Sequence, residues 1–160
     1  MTQRASQLSP QPMDALWMPY TANRQFKSAP RMITGAQGNY LIDDSGRKIF
    51  DGLSGLWTCG AGHNRPEITE AVAKQLATLD YAPAFQYGHN LAFELAERLA
   101  AMAPSDINKV FFTNSGSEAA DTATKMARAY WRQQGQPTKT RIIGRAKGYH
   151  GASWGGISFG

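Results

Sequence analysis

The stretch KVFFTNSGSEAADTATKMARAY, residues 109–130, decides how this chain is read. Val110, Phe111 and Phe112 form a short apolar run of β-formers, the pattern of a strand covered on both faces. Asn114, Ser115, Gly116 and Ser117 end that run, and a serine just ahead of a helix is a preferred N-cap. From Ala119 onward, Ala119, Ala123, Met126, Ala127 and Tyr130 recur at helical spacing. The reading predicts a buried strand, a Ser-Gly-Ser turn and a long amphipathic helix. A glycine between two hydroxyls at a helix N-terminus offers free backbone N–H groups, two side-chain donors and the positive end of a dipole. That is an anion site, and phosphate is its usual occupant.

The spacing excludes two common nucleotide sites. No Gly-Lys-Ser/Thr follows the glycine as a Walker loop requires, and the three-glycine dinucleotide pattern is absent.

Further out, the elements order themselves. Residues 14–18 read as a short helix capped by Asp14 and stopped by Pro19. Residues 38–44 and 47–51 read as two strands joined by an Asp-Ser-Gly turn. A Gly-rich stretch, 52–64, holds Trp57. Ile68, Val72, Leu76 and Leu79 mark one helix face, and Leu91, Leu95, Leu99 and Met102 mark another. Residues 140–143 read as a strand and 146–156 as a Gly-rich loop. Alternating strands and helices after residue 100 predict a parallel sheet with helices on its faces, with ligands at the carboxyl ends of its strands. Residues 115–117 and 147–150 both fall there.

Composition is compatible with about one domain of 160 residues. The net charge of +5 is mild and its basic residues are scattered, Arg141, Arg145 and Lys147 being the densest group. With no long basic run and no interleaved aromatics, nucleic acid is not the expected partner. Cys59 is the single cysteine, so no intrachain disulfide forms and a reducing, cytoplasmic setting is expected. Residues 1–12 are polar with two prolines, a frayed arm and not a secretory signal. No stretch approaches the roughly 20 apolar residues of a membrane span. Three scattered histidines give no metal spacing, and His63 and His89 read as structural.

The segment NSGSEAADTATKMARAYW resembles the phosphate cup of class III (omega) aminotransferases, pyridoxal-phosphate enzymes of fold type I. Residues 17–26 (WMPYTANRQF) and 38–68 (GNYLIDDSGRKIFDGLSGLWTCGAGHNRPEI) are similar to the family's amino-terminal part, and residues 79–100 and 142–160 to what flanks the cup. The wording LSGLWTCGAGH and AFQYGHN is closest to the beta-alanine:pyruvate (omega-amino acid:pyruvate) branch. Ala119-Ala120-Asp121 departs from the Ala-Asn-Asp that many members carry here.

The resemblance implies an α/β fold type I architecture: an amino-terminal arm and small-domain hairpin over residues 1–52, then the start of the large parallel-sheet domain over 53–160. It implies pyridoxal 5'-phosphate held by Ser115, Gly116 and Ser117. Tyr149 would stack on the pyridine ring with His150 beside it. Trp57, Leu56 and Tyr20 would line the substrate pocket, and Phe85 would be lent to a neighbouring subunit in a homodimer or dimer of dimers. The reaction implied is ping-pong transfer of an amino group from an omega-amino acid or amine to pyruvate. None of the seven lysines matches the family's Schiff-base lysine. That residue, the ring-nitrogen aspartate and the carboxylate-binding arginine are expected beyond Gly160. No catalytic residue is therefore expected in this segment, and the 160 residues alone are expected to be inactive.

Each assignment has a plainer rival. Trp57 could plug a core gap, Tyr149-His150 could be a packed aromatic beside a surface histidine, and Phe85 could be core. Glu118 and Asp121 are read as favouring the positive end of their helix and supporting the loop, not as a catalytic pair. Three other functions stay open: a donor such as 4-aminobutyrate, ornithine or diaminopelargonate, a non-catalytic phosphate-binding module, and a polyanion binder using residues 141–147.

Overall fold

The computed structural model describes residues 13–159, which divide into two compact units, a first one ending at Ala82 and a second starting at Pro83. The expected arm over residues 1–12 lies outside the described residues.

The first unit opens with a turn at Asp14-Ala15, where a short helix is expected from the sequence. Pro19 disfavours the helical region for Met18, and the Asp14 carbonyl accepts a bond from Lys27 Nζ instead of serving a helix start (3.1 Å). A short helix, α1 (Asn23–Ser28), leads into a three-stranded antiparallel sheet, β1 (Ile33–Gln37), β2 (Tyr40–Asp43) and β3 (Lys48–Phe50), in that order. The expected hairpin is present with Leu41 opposite Ile49. Its turn is built on Asp43, whose Oδ1 accepts from Ser45 Oγ (2.6 Å) and from the Ser45 and Arg47 N–H groups. Strand β1 was not anticipated. It reaches β2 through the turn at Gly38-Asn39, with Gly38 at φ 57.

Helix α2 (Ser54–Trp57) follows, then α3 (Pro66–Thr78), which starts with Pro at its first turn and Glu67 near the positive end of the dipole.

The second unit contains α4 (Asn90–Met102), α5 (Gly116–Gln133) and α6 (Trp154–Ile157). Both helix faces read from the sequence are present, but Ile68, Val72, Leu91 and Leu95 stay about half exposed. Within its own unit, neither α3 nor α4 packs on another helix or strand. Among the described residues the buried positions are Asp43, Gly151 and Gly156, and no apolar side chain is buried.

Residues 110–112 and 140–143, expected as strands of a parallel sheet, run without strand pairing. A strand needs a neighbour for its N–H and C=O groups, and no described segment supplies one to either.

Candidate functional site

In the second unit the start of α5 is built as the sequence implies. Ser115 is the N-cap, extended at φ −156, and its Oγ accepts from the Glu118 N–H (3.1 Å). Glu118 reaches back, its Oε2 accepting from the Asn114 N–H (2.9 Å). This is a capping-box exchange displaced by one residue. The cap occupies the third N–H of the helix and leaves those of Gly116 and Ser117 without a partner among the described residues. A Cβ added at Gly116 would meet nothing within 4 Å, so the glycine side of this helix end is open.

The loop after Tyr149 and His150 is fastened to the same helix end. The Ala152 N–H donates to Ser117 Oγ (2.9 Å), which leaves the hydroxyl proton free for a ligand oxygen. Gly151, at φ 105, lies so close that a Cβ there would stand 2.7 Å from Ser117 Cα. One turn along, Asp121 Oδ1 accepts from the Gly156 N–H (3.0 Å), holding α6 against α5. Glu118 and Asp121 therefore support the loop, as expected.

Gly116, Ala120, Tyr149 and His150 border one cleft of about 460 Å³ with Ile142 and Ile143. Tyr149 is exposed on it (79%). The His150 Nδ1 is buried and has no hydrogen-bond partner, with the Phe159 ring edge-on at 6.3 Å. The cleft is thus bordered by a helix end with two unspent N–H groups and by a histidine whose buried Nδ1 is orphaned, where buried polar atoms otherwise find partners, a combination suited to an anionic, polar ligand. Thus Ser115, Gly116, Ser117, Tyr149 and His150 are brought together. Phe85 is exposed (85%) in a bend of the same unit.

In the first unit, Leu56 and Trp57 sit in α2, whose backbone winds the wrong way. Ser54, Gly55, Leu56 and Trp57 have φ of 50, 58, 59 and 71. A left-handed turn costs roughly 1–2 kcal/mol for each non-glycine residue. Trp57 is 80% exposed, so it plugs no gap in this unit. Tyr20 is equally open, at φ 48 on a turn after Pro19. Positive φ also marks Gln86 beside Phe85 and Lys147 ahead of Tyr149. Such strain clusters at functional sites; Tyr20, Leu56 and Trp57 carry it themselves, Phe85 and Tyr149 only lie near it, and Asn64 carries it with no assigned role.

The Gly-rich stretch carrying Trp57 is tied at its base. Asp51 Oδ2 accepts from His63 Nε2 and from the Gly55 N–H, both at 2.7 Å. The His63 hydrogen bond chiefly, with Gly55 behind it, holds the Asp51 carboxyl below its ordinary value against the opposing effect of burial. His63 exchanges both main-chain bonds with Gly38, consistent with its structural reading. Asp51 and Gly151 were missed from the sequence. Their signals were the aspartate opening a Gly-rich loop and the glycine straight after Tyr149-His150.

Among the described residues no group of three His, Cys, Asp or Glu could hold a metal, and no helix is long and apolar enough to cross a membrane.

A capped helix end presenting unspent N–H groups beside an aromatic and a histidine defines an α/β protein built around an anionic ligand. The class-III aminotransferase model matches residues 21–160, and the chain belongs to that family. It is 64% identical over 156 residues to the omega-amino acid–pyruvate aminotransferase of Pseudomonas putida, covering 98% of this chain and 34% of that protein. It is also 64% identical to the beta-alanine–pyruvate aminotransferase of Pseudomonas aeruginosa, covering 91% and 33%. The omega transaminase of Pseudomonas jessenii in complex with PMP superposes with a TM-score of 0.82 at 38% identity, over 86% of this chain and 31% of that one. The fold is that of fold type I transaminases, and the chain spans about a third of the length of the curated relatives it matches.

Proposed function

We propose that this chain supplies the phosphate cup and pocket aromatics of a pyridoxal-phosphate-dependent transaminase. The reaction would move an amino group from an omega-amino acid or amine, beta-alanine-like in size, to pyruvate by a ping-pong route. The observation that carries the reading is the pair of unspent N–H groups at Gly116 and Ser117, on a helix end braced from the Tyr149-His150 loop through Ala152. The two curated relatives at 64% identity, both named for pyruvate, support the acceptor.

The residues present fit pyridoxal 5'-phosphate. The Gly116 and Ser117 N–H groups and the Ser117 hydroxyl would bind the phosphate oxygens, with the α5 dipole favouring its charge. Tyr149 would lie on the ring face and His150 would turn its free nitrogen to a polar edge. The bound cofactor supplies the electron sink that labilises the donor's C–H bond. Trp57, Leu56 and Tyr20 would bound the donor's side chain, and Phe85 would serve a second copy in a homodimer or dimer of dimers. The division into residues 1–52 and 53–160 and a cytoplasmic location belong to the same proposal, resting on resemblance and on the single cysteine.

The test expresses the protein from its native gene with pyridoxal phosphate, assays beta-alanine with pyruvate, and maps the lysine fixed to the cofactor by borohydride. Turnover with a single labelled lysine outside the 160 residues is expected. A stoichiometric label on Lys125 or Lys147 overturns the residue assignments. No label and no turnover overturn the enzyme reading.

A further inference from the structure

We propose that Asp51 and His63 are positioning residues that lock the left-handed turn of Leu56 and Trp57 and thereby set which amine donor is accepted. The proposal rests on the reading of Trp57 as a pocket wall.

The turn has no intrinsic reason to persist. Ser54, Leu56 and Trp57 all hold positive φ, and each would relax to the right-handed side if its surroundings allowed. Local bonds close the turn, Trp57 N–H to the Leu53 carbonyl (2.9 Å) and Cys59 N–H to the Ser54 carbonyl (2.8 Å). These would also suit other turn shapes. Two acceptors on Asp51 tie the turn to the sheet: its carbonyl, which takes the Ser54 N–H (3.3 Å), and its Oδ2, which alone is shared between the Gly55 N–H inside the turn and His63 at the far end of the loop.

Each end of that link is independently anchored. The Asp51 N–H donates to the Asn39 carbonyl (2.9 Å), just past β3, and His63 pairs its main chain with Gly38 at the neighbouring hairpin turn. The side chains of Asp51 and His63 are only 8% and 14% exposed, whereas Trp57 is 80% exposed. The anchor is sheltered from water and the indole is presented. Gly55 itself has little room, since a Cβ there would stand 3.0 Å from Cys59 Sγ. Loss of the Asp51 bond would free the Gly55 N–H, let the turn unwind, and move the indole without touching the phosphate cup residues.

The experiment uses the protein expressed from its native gene and loaded with pyridoxal phosphate, comparing Asp51→Asn, His63→Ala and His63→Gln. Amide hydrogen exchange is read for peptides within 52–60 and within α5. Steady-state kinetics are read with beta-alanine and with a bulky aromatic amine. Replacing a charge-assisted bond should speed exchange at Gly55 by about tenfold or more in Asp51→Asn and His63→Ala, with α5 unchanged. KM for the donor should rise and the ratio of kcat/KM between the two donors should shift by a comparable factor, while the Kd of pyridoxal phosphate stays put. His63→Gln, which keeps a donor toward Asp51, should recover most of both effects.

Unchanged exchange in the 52–60 peptides overturns the lock. Faster exchange with an unmoved donor ratio overturns the selection role. Absence of turnover in the unsubstituted protein overturns the transamination reading itself, and the exchange data then decide the lock alone.

Discussion

Gly151 and Ser117 touch backbone to backbone: a Cβ on the glycine would come within 2.7 Å of the serine Cα and 2.9 Å of its Oγ. Gly151 is also at φ 105, where a side chain is strained whatever the space. Gly151→Ala should therefore push the Tyr149-His150 loop off the start of α5. A destabilisation of about 1–3 kcal/mol is expected from the backbone alone. Thermal melts and a pyridoxal phosphate titration should show a lower Tm together with weakened binding.

Gly116 behaves oppositely. It lies in regular helix, and an added Cβ meets nothing within 4 Å. Gly116→Ala should leave the ligand-free protein as stable as before, or stiffen it by up to about 1 kcal/mol. The new methyl group would stand at the edge of the cleft that Gly116 borders. Melts with and without pyridoxal phosphate should keep the first Tm and lose most of the cofactor-induced rise.

At Trp57 the expected cost of truncation is small, because the indole is 80% exposed and its φ is 71. Trp57→Gly trades roughly 1–2 kcal/mol of left-handed strain against the greater freedom of glycine in the unfolded chain. Stability should change by no more than about 1 kcal/mol, while bulkier amine donors gain kcat/KM relative to beta-alanine. A donor panel and a urea melt read the two effects separately.

The hairpin turn carries a pH dependence. The Ser45 hydroxyl bond, above all, then the Arg47 N–H and guanidinium, hold the Asp43 carboxyl below its ordinary value of 3.8 against the opposing effect of burial. A group depressed in the fold contributes stability that is complete above its unfolded value and lost as pH falls through the folded one. Asp51 and Glu67 are depressed in the same direction. Unfolding measured from pH 6 downward should show stability falling off below about pH 4. Asp43→Asn should flatten part of that fall and lower stability at neutral pH.

Much of the site was legible because short-range chemistry dictates it. Ser115 before a glycine and Glu118 three residues on spell a capped helix, and the cap itself determines which N–H groups stay free. The faces of α3 and α4 follow in the same way from the spacing of Ile68, Val72 and Leu76 and of Leu91, Leu95 and Leu99. What could not be read were relations between distant residues: the reach of Ala152 to Ser117, and the sharing of Asp51 Oδ2 by Gly55 and His63. Strand β1 escaped because Gly35 and Ala36 weaken its β signal, although Gly38-Asn39 is a usable hairpin turn. Residues 110–112 illustrate the opposite error, in which the apolar pattern is right but pairing depends on a neighbour that local sequence cannot supply.

The reciprocal bonds of Ser115, Glu118 and Asn114 have a consequence for how quickly the cup fills. Both bonds are made by the protein to itself, so the helix end is already shaped when an anion arrives. Little ordering entropy remains to be lost on capture. Association should then be governed by diffusion and by the charge of the approaching phosphate, slowing as salt is added. The lifetime of the filled cup would be set elsewhere, by what grips the rest of the ligand once its phosphate is seated.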